Sequence, residues 1–140
     1  MKTWVHTLFS LILAVILYPV FNWKVLLILA GGVLIDIDHY FWYIWRYKKF
    51  GLLSCYRFLS VETKKNKWKD VSGALFVFHT IEFLLFMVLL SFYNEFVLIF
   101  TIGLLPHYIM DILFILAVPK HFILNHSVIY WTYRNLIQKL

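Results

Sequence analysis

The stretch that decides the fold is Val25–Trp45, VLLILAGGVLIDIDHYFWYIW, an apolar run that acidic and imidazole side chains interrupt. As a helix rising ~1.5 Å per residue, it is long enough to cross the ~30 Å hydrocarbon core of a bilayer. Asp36, Asp38 and His39 lie in its second half. A charged group in hydrocarbon costs at least ~2.5–3.5 kcal/mol unless it is paired or bound to a metal. The stretch therefore predicts a membrane helix that carries a functional site.

The composition of the whole chain agrees with a membrane location. The 140 residues are 63% hydrophobic and 14% charged, with a mean hydropathy of +0.81. Soluble domains average ~45–50% apolar and ~25% charged residues. Four apolar runs approach the length of a spanning helix, at about 5–21, 25–45, 73–93 and 96–118. We therefore expect one all-α domain over residues 1–140, an integral membrane four-helix bundle with an interfacial helix in the tail 121–140.

Basic residues are concentrated on one side of this predicted bundle. The loop 46–72 holds eight basic and two acidic residues, and four spans place it on the same side as both termini. Twelve of the thirteen basic residues then share that side, and Lys24 is the exception. The positive-inside rule predicts a multi-pass protein of the cell (inner) membrane with both termini cytoplasmic. Because topology accounts for the charge, nucleic acid is not an expected partner.

The lone Cys55 permits no internal disulfide and is expected to be inert.

Acids and histidines recur in the other apolar runs, and counting residues places them in one layer. Asp36 and His107 each lie eleven residues after the outer start of their helix, about 17 Å deep. His79 and Glu82, counted from the cytoplasmic end, lie ~9–14 Å deep. His6 begins the first helix at that same end. We expect all of them to converge on one site in the cytoplasmic half of the bundle.

Spacing within the helices agrees with a shared site. Three pairs lie three or four residues apart, so the members of each pair project from one helix face. The pairs are Asp36/His39, His79/Glu82 and His107/Asp111. Asp38 lies on another face unless the helix distorts locally.

Imidazole nitrogen together with carboxylate oxygen is the ligand set of zinc and of other first-row divalent ions. Pairs at this spacing on facing bundle helices also build di-metal carboxylate sites. The predicted cofactor is a divalent metal, with zinc favoured, as one to three ions. The predicted metal ligands are His6, Asp36, His39, His79, His107 and Asp111. Glu82 or Asp38, where it is not a ligand, is the candidate general base.

Simpler interpretations stand beside the metal site. Asp36 and its neighbours can be a solvated helix end, and His107 with Asp111 can be a hydrogen-bonded pair that links helices. His121 and His126 are expected to be interfacial polar residues, because no acid lies at helical spacing from them.

Two motifs resemble the YdjM-like family of small membrane-bound, predicted metal-dependent hydrolases: Gly32–His39, GVLIDIDH, and Gly103–Asp111, GLLPHYIMD, with His6 before them. That family looks related to the zinc-dependent phospholipase C and P1 nuclease group, whose helical sites hold up to three zinc ions and cleave phosphodiesters. The resemblance implies that His6 is the family's N-terminal histidine. It also implies an Asp-x-Asp-His element and a His-x-x-x-Asp element within the two motifs. The family's Thr-His-Ser element is replaced here by Phe78–Glu82, FHTIE.

The expected function is a membrane-embedded metal-dependent hydrolase that uses a metal-activated water. The expected substrate and partner is a membrane lipid or lipid-linked phosphoester near the cytoplasmic leaflet, and a homo-oligomer is left open. Phosphodiester chemistry rests on the resemblance alone. One alternative is a small ion or proton carrier, although a relay predicts polar groups strung along the full membrane depth. The other is a metal-stabilised structural membrane protein.

Overall fold

The computed structural model describes residues 3–62, 71, 73–117 and 126–137, which are mostly helical and contain no strand. The predicted all-α class is confirmed. The helices are α1 Thr3–Phe21, α2 Leu26–Val33, α3 Ile37–Tyr47, α4 Leu52–Arg57, α5 Ile81–Ser91, α6 Glu95–Ala117 and α7 Val128–Ile137. By length and composition, two helical stretches are apolar enough to cross a membrane, Thr3–Tyr47 and Glu95–Phe114.

The first of these stretches folds back on itself. A short 3-10 turn, Asn22–Val25, follows α1, and Asn22 has a positive φ of 50°. Asparagine is one of the few residues that visit this left-handed conformation routinely. The chain therefore reverses, and α2 packs against α1 through a core that includes Ala14 and Ile28.

Helix α6 is central, because it packs against α1, α2 and α5. Its contact with α2 is made by backbone. A Cβ added to Gly31 would lie 2.1 Å from the Phe100 carbonyl oxygen, and one added to Gly103 would lie 2.1 Å from the Ile28 carbonyl oxygen. Small residues allow such close approach in membrane bundles. The two glycines therefore fix the register of α2 on α6.

Two of the predicted helices are interrupted near the polar groups. The run 25–45 contains a 3-10 turn, Leu34–Asp36, between α2 and α3, and Val33 before it departs from helical geometry at φ −131° and ψ −48°. The predicted helix 73–93 is wrong over its first part, because α5 begins only at Ile81. Thr80 has extended backbone and caps α5 by accepting from the Phe83 amide. With eleven residues, α5 is only about 16 Å long.

The predicted loop 46–72 is partly helical. It contains α4 and a π-helical turn, Phe58–Glu62, and Cys55 and Phe58 are buried against Tyr43 of α3.

In the tail, the Trp131 indole on α7 donates to the Gly73 carbonyl at 3.0 Å. Several predictions fall outside the described residues: the lysines and acid within 63–70, His121, and the rest of the tail at 118–125 and 138–140.

Candidate metal centre

Four side chains from three parts of the chain lie close together, with two carboxylates beside a pair of histidine Nε2 atoms. We call them the tetrad: Asp36, His79, His107 and Asp111. The two histidine Nε2 atoms are 3.1 Å apart. His79 Nε2 is 3.3 Å from Asp36 Oδ1 and 3.8 Å from Asp111 Oδ2. His107 Nε2 is 3.3 Å from Asp111 Oδ2 and 3.7 Å from Asp36 Oδ1. A tetrahedral zinc ion with bonds of ~2.0–2.1 Å needs donors roughly 3.3 Å apart. The five spacings are close to that value, and Asp36, His79 and His107 form one group of donors that all lie within 4.8 Å of one another.

Hydrogen bonds fix which nitrogen of each tetrad histidine carries the proton. His107 Nδ1 lies 2.9 Å from the Gly32 carbonyl oxygen, which can only accept, so Nδ1 donates. His79 Nδ1 lies 3.0 Å from Asp38 Oδ2 and donates in the same way. Both Nε2 atoms are then free to act as acceptors or ligands, and they face each other at 3.1 Å. One shared proton satisfies that single contact, whereas a bound cation would interact with both Nε2 atoms and with the carboxylate oxygens beside them.

His6 lies against the tetrad from α1. Its side chain is 1% exposed, and its ring stacks on His107 with centroids 3.9 Å apart. His6 Nε2 is 3.3 Å from Asp111 Oδ1, the oxygen that does not face His107. Its other nitrogen, Nδ1, is buried with no hydrogen-bond partner among the described residues. His6, His107 and Asp111 therefore form a second group with metal-ligand spacing.

Asp38 holds histidines in place. Its carboxylate accepts from His79 Nδ1 at 3.0 Å, from His39 Nδ1 at 2.8 Å and from the Phe78 amide at 3.1 Å. Asp38, His39 and His79 form the third group with ligand spacing, but the His79 atom facing it is the protonated Nδ1. A carboxylate that orients a ligating histidine is common beside metals. The interrupted helix at Leu34–Asp36 supplies the local distortion that lets Asp36 and Asp38 reach the same cluster.

His39 lies at the edge of the cluster. Its Nδ1 is 3.8 Å from Asp36 Oδ1, and its ring stacks on Phe76 with centroids 4.0 Å apart. The side chains of His39 and Asp36 are 22% and 23% exposed, whereas that of His107 is fully buried. The cluster is therefore partly open at His39 and Asp36, and also at Asp111, whose side chain is 20% exposed.

Glu82 is the one predicted site residue that the structure does not bring to the cluster. Its carboxylate accepts from the Ser127 hydroxyl at 2.5 Å and from the Val128 and Ile129 amides at 3.1 and 3.3 Å. It thereby caps the N-terminus of α7, where a negative charge is favoured. The expected shared face of His79 and Glu82 is wrong, because His79 precedes the first turn of α5.

Two residues near the site were not predicted from the sequence. The Tyr108 hydroxyl lies 2.7 Å from the Phe78 carbonyl and 2.8 Å from the Thr80 carbonyl, and it donates to this pair. His126 was predicted to be an interfacial residue. Its Nδ1 lies 3.4 Å from the His79 carbonyl oxygen, and its backbone carbonyl accepts a hydrogen bond from the Ile81 amide at 2.8 Å. Both support the segment before α5, whose short 3-10 turn Val77–His79 carries His79. No spacing pattern indicates Tyr108, and the weak likeness of Asn125-His126-Ser127 to a Thr-His-Ser element is the only signal for His126.

The chain matches no protein-family model, no curated protein and no solved structure. The resemblance to the YdjM-like family stays a prediction that rests on its two motifs and His6.

Proposed function

We propose that the tetrad binds a divalent cation, with zinc favoured, and that the chain is a membrane-embedded metal-dependent hydrolase. The observation that carries this proposal is the arrangement of His79 and His107. In each ring Nδ1 is used in a hydrogen bond to an oxygen, and the two Nε2 atoms lie 3.1 Å apart beside two carboxylates. Zinc takes imidazole nitrogen and carboxylate oxygen as ligands in tetrahedral sites. The expected substrate is a lipid or lipid-linked phosphoester near the cytoplasmic leaflet.

A bound divalent cation supplies Lewis acidity and lowers the pKa of water toward ~7. The residues of this chain supply position and proton transfer. Asp38 fixes the tautomer of His79, and the Gly32 carbonyl fixes that of His107. His39 Nδ1 donates a hydrogen bond to Asp38 Oδ1 at 2.8 Å, at the partly open side of the cluster. This imidazole–carboxylate pair is able to take a proton from the attacking water. Glu82 has no part in this proposal, because it caps α7.

The lipid substrate is inferred from the surface of the helices. Large apolar side chains are exposed along them, among them Val15, Ile16, Leu89 and Leu116. Apolar surface of this extent favours a membrane or a partner that covers it. The predicted topology, with basic residues on the side of His6, places the cluster closer to the cytoplasmic leaflet. A substrate of that leaflet therefore meets the site without crossing the bilayer.

An ion or proton carrier is the second candidate, and one observation favours it. Backbone that departs from the α-helix at Leu34–Asp36 and Gly73–Thr80, with a short 3-10 turn in each, lies beside the polar cluster. Interrupted helices frame the binding sites of many transporters, because freed backbone groups are tolerated at membrane depth only where protein or a cavity surrounds them. Against this candidate, the acids and histidines that the structure brings together form one cluster rather than a path.

Turnover by metal-reloaded protein tests the hydrolase proposal. Protein in lipid nanodiscs is stripped with a chelator, reloaded with zinc or manganese, and assayed for phosphate or alcohol release from lipid phosphoesters. We expect release only after reloading, and loss of it in Asp36→Asn. The matched control is Glu95→Gln, since Glu95 is an exposed acid that pairs with Lys24 far from the tetrad. Zinc-loaded protein that cleaves no phosphoester but moves protons or zinc across liposomes would instead establish the carrier.

A further inference from the structure

An apolar groove of about 190 Å³ lies beside the segments that carry Asp36 and His79. It is lined by hydrophobic side chains, namely Ala30, Leu34, Ile35, Phe78, Phe83 and Phe100. Ile35 directly precedes Asp36, and Phe78 directly precedes His79. The segments that form the groove wall are therefore the same segments that present two of the tetrad donors.

The volume and the lining restrict what fits. An apolar cavity of ~150 Å³ holds a molecule the size of benzene, so this groove holds roughly six to eight carbon atoms. A protein helix, ~10 Å across, is too wide for it. A charged head group gains nothing there, because burying polar atoms without hydrogen bonds is costly. An aliphatic chain matches both the size and the chemistry.

The groove also runs in the direction that a lipid tail would take. Ala30 lies six residues before Asp36 along α2, and Phe100 lies seven residues before His107 along α6. Both helices enter from the outer side in the predicted topology, so the groove extends from the tetrad away from the cytoplasmic face. A lipid of the cytoplasmic leaflet has this orientation, with its head toward the cytoplasm and its chain toward the bilayer centre.

We propose that this groove binds the proximal six to eight carbons of an alkyl chain on a lipid phosphoester whose phosphate lies at the tetrad. The inference rests on the proposed function and adds the place where the alkyl chain of the substrate binds. It predicts that the site discriminates substrates by chain length, with the preference set by the side chains at positions 30 and 100.

Binding of alkylphosphonates to cobalt-loaded protein tests this proposal without requiring turnover. Methyl-, butyl-, hexyl- and octylphosphonate are titrated in nanodiscs, and the visible spectrum of the bound cobalt reports occupancy at the tetrad. We expect affinity to rise about fourfold per methylene, the usual gain for a buried CH₂ group, up to about six to eight carbons.

Two opposite variants and one control make the test specific. Ala30→Phe fills the groove and should remove the chain-length dependence, whereas Phe100→Ala enlarges the groove and should extend it to longer chains. Val15→Phe introduces the same side chain at an exposed position of α1 and should behave as wild type. Phosphonates that perturb the spectrum with no dependence on chain length would overturn the groove proposal and leave the metal site standing. The groove proposal would also be overturned if Ala30→Phe changed only the oligomeric state, because a second copy of the chain would then occupy the groove. Failure to bind cobalt at all would overturn both proposals.

Discussion

Asp38 illustrates, at the scale of one residue, how a side chain can matter to a metal site without being a ligand. It accepts hydrogen bonds from two histidines and one backbone amide, and its contact with His79 leaves Nε2 of that histidine free for the tetrad. The sequence pattern Asp-x-Asp-His indicates acids close to a site, but it does not distinguish Asp36, the proposed ligand, from Asp38, the proposed positioning residue. That distinction depends on the helix interruption at Leu34–Asp36, which hydropathy does not reveal.

Substitution of Asp38 tests the positioning role. We expect Asp38→Ala to weaken zinc binding about 10–100-fold, the usual effect of removing a group that orients a ligand. Competition with a chromophoric chelator measures this change. The control Glu95→Ala removes a carboxylate outside the cluster and should leave the affinity unaltered. Complete loss of zinc in Asp38→Ala would mean that Asp38 is itself a ligand.

Glu82 allows the opposite experiment. Because its carboxylate accepts from the Ser127 hydroxyl and from two amides at the start of α7, Glu82→Ala should destabilise that helix by about 1 kcal/mol, as loss of a cap does. Zinc affinity should not change. Hydrogen exchange of amides 128–137 reports the first effect, and metal titration reports the second. A loss of zinc binding would return Glu82 to the list of ligands.

At the scale of helices, the contact between α2 and α6 determines whether the tetrad forms. Gly32 supplies the carbonyl that orients His107, so a change in the register of α2 on α6 would break that hydrogen bond. Glycines in an apolar run predict such close packing, and the contact at Gly31 and Gly103 agrees. What the sequence does not indicate is that Gly73–Thr80 is largely non-helical. Its apolar residues are typical of a helix, and the groups that stabilise it instead, Tyr108 and Asp38, come from distant parts of the chain.

Adding a methyl group at this contact should separate the helices. In Gly103→Ala the new Cβ would lie 2.1 Å from the backbone oxygen of Ile28, which cannot rotate away. We expect a loss of about 1–3 kcal/mol in unfolding free energy, as for other overpacked cores, together with weaker zinc binding. Gly73→Ala is the matched control, since nothing lies within 4 Å of its added Cβ. Equal stability of the two variants would contradict the packing account.

Helix α4 provides a test that is independent of the metal. Burial raises the pKa of the Cys55 thiol to about 11, so the thiol stays protonated between pH 7 and 9. We expect slow reaction with a thiol reagent in folded protein at pH 8 and fast reaction after denaturation, because the thiolate is the reactive form. A Cys55→Ser protein that carries Ser54→Cys, at an exposed neighbouring position, should react quickly when folded. Fast labelling of Cys55 in the folded protein would show that α4 does not pack on α3.

At the scale of the whole molecule, residue counting anticipated the meeting of distant segments better than it anticipated their secondary structure. Residue counting gives Asp36 and His107 the same depth in the membrane, and Asp36 Oδ1 lies 3.7 Å from His107 Nε2. His107 also contacts Asp111, as their spacing of four residues predicts. These relations follow from helix rise and periodicity, which are local properties. The places of His126 and Glu82 depend on how the tail docks against the segment before α5, and no local property encodes that. Sequence reasoning therefore predicted the centre of the site but not the contacts that support it.

Metal content is the measurement that tests the central claim most directly. Protein purified without chelators is analysed by mass spectrometry for bound metals, as wild type, Asp36→Ala, His107→Ala and the control Glu95→Gln. The tetrad predicts at least one zinc or other first-row divalent ion per chain in the wild type and the control, and its loss in the two tetrad variants. A metal-free wild type, or tetrad variants that keep their full metal content, would contradict the account.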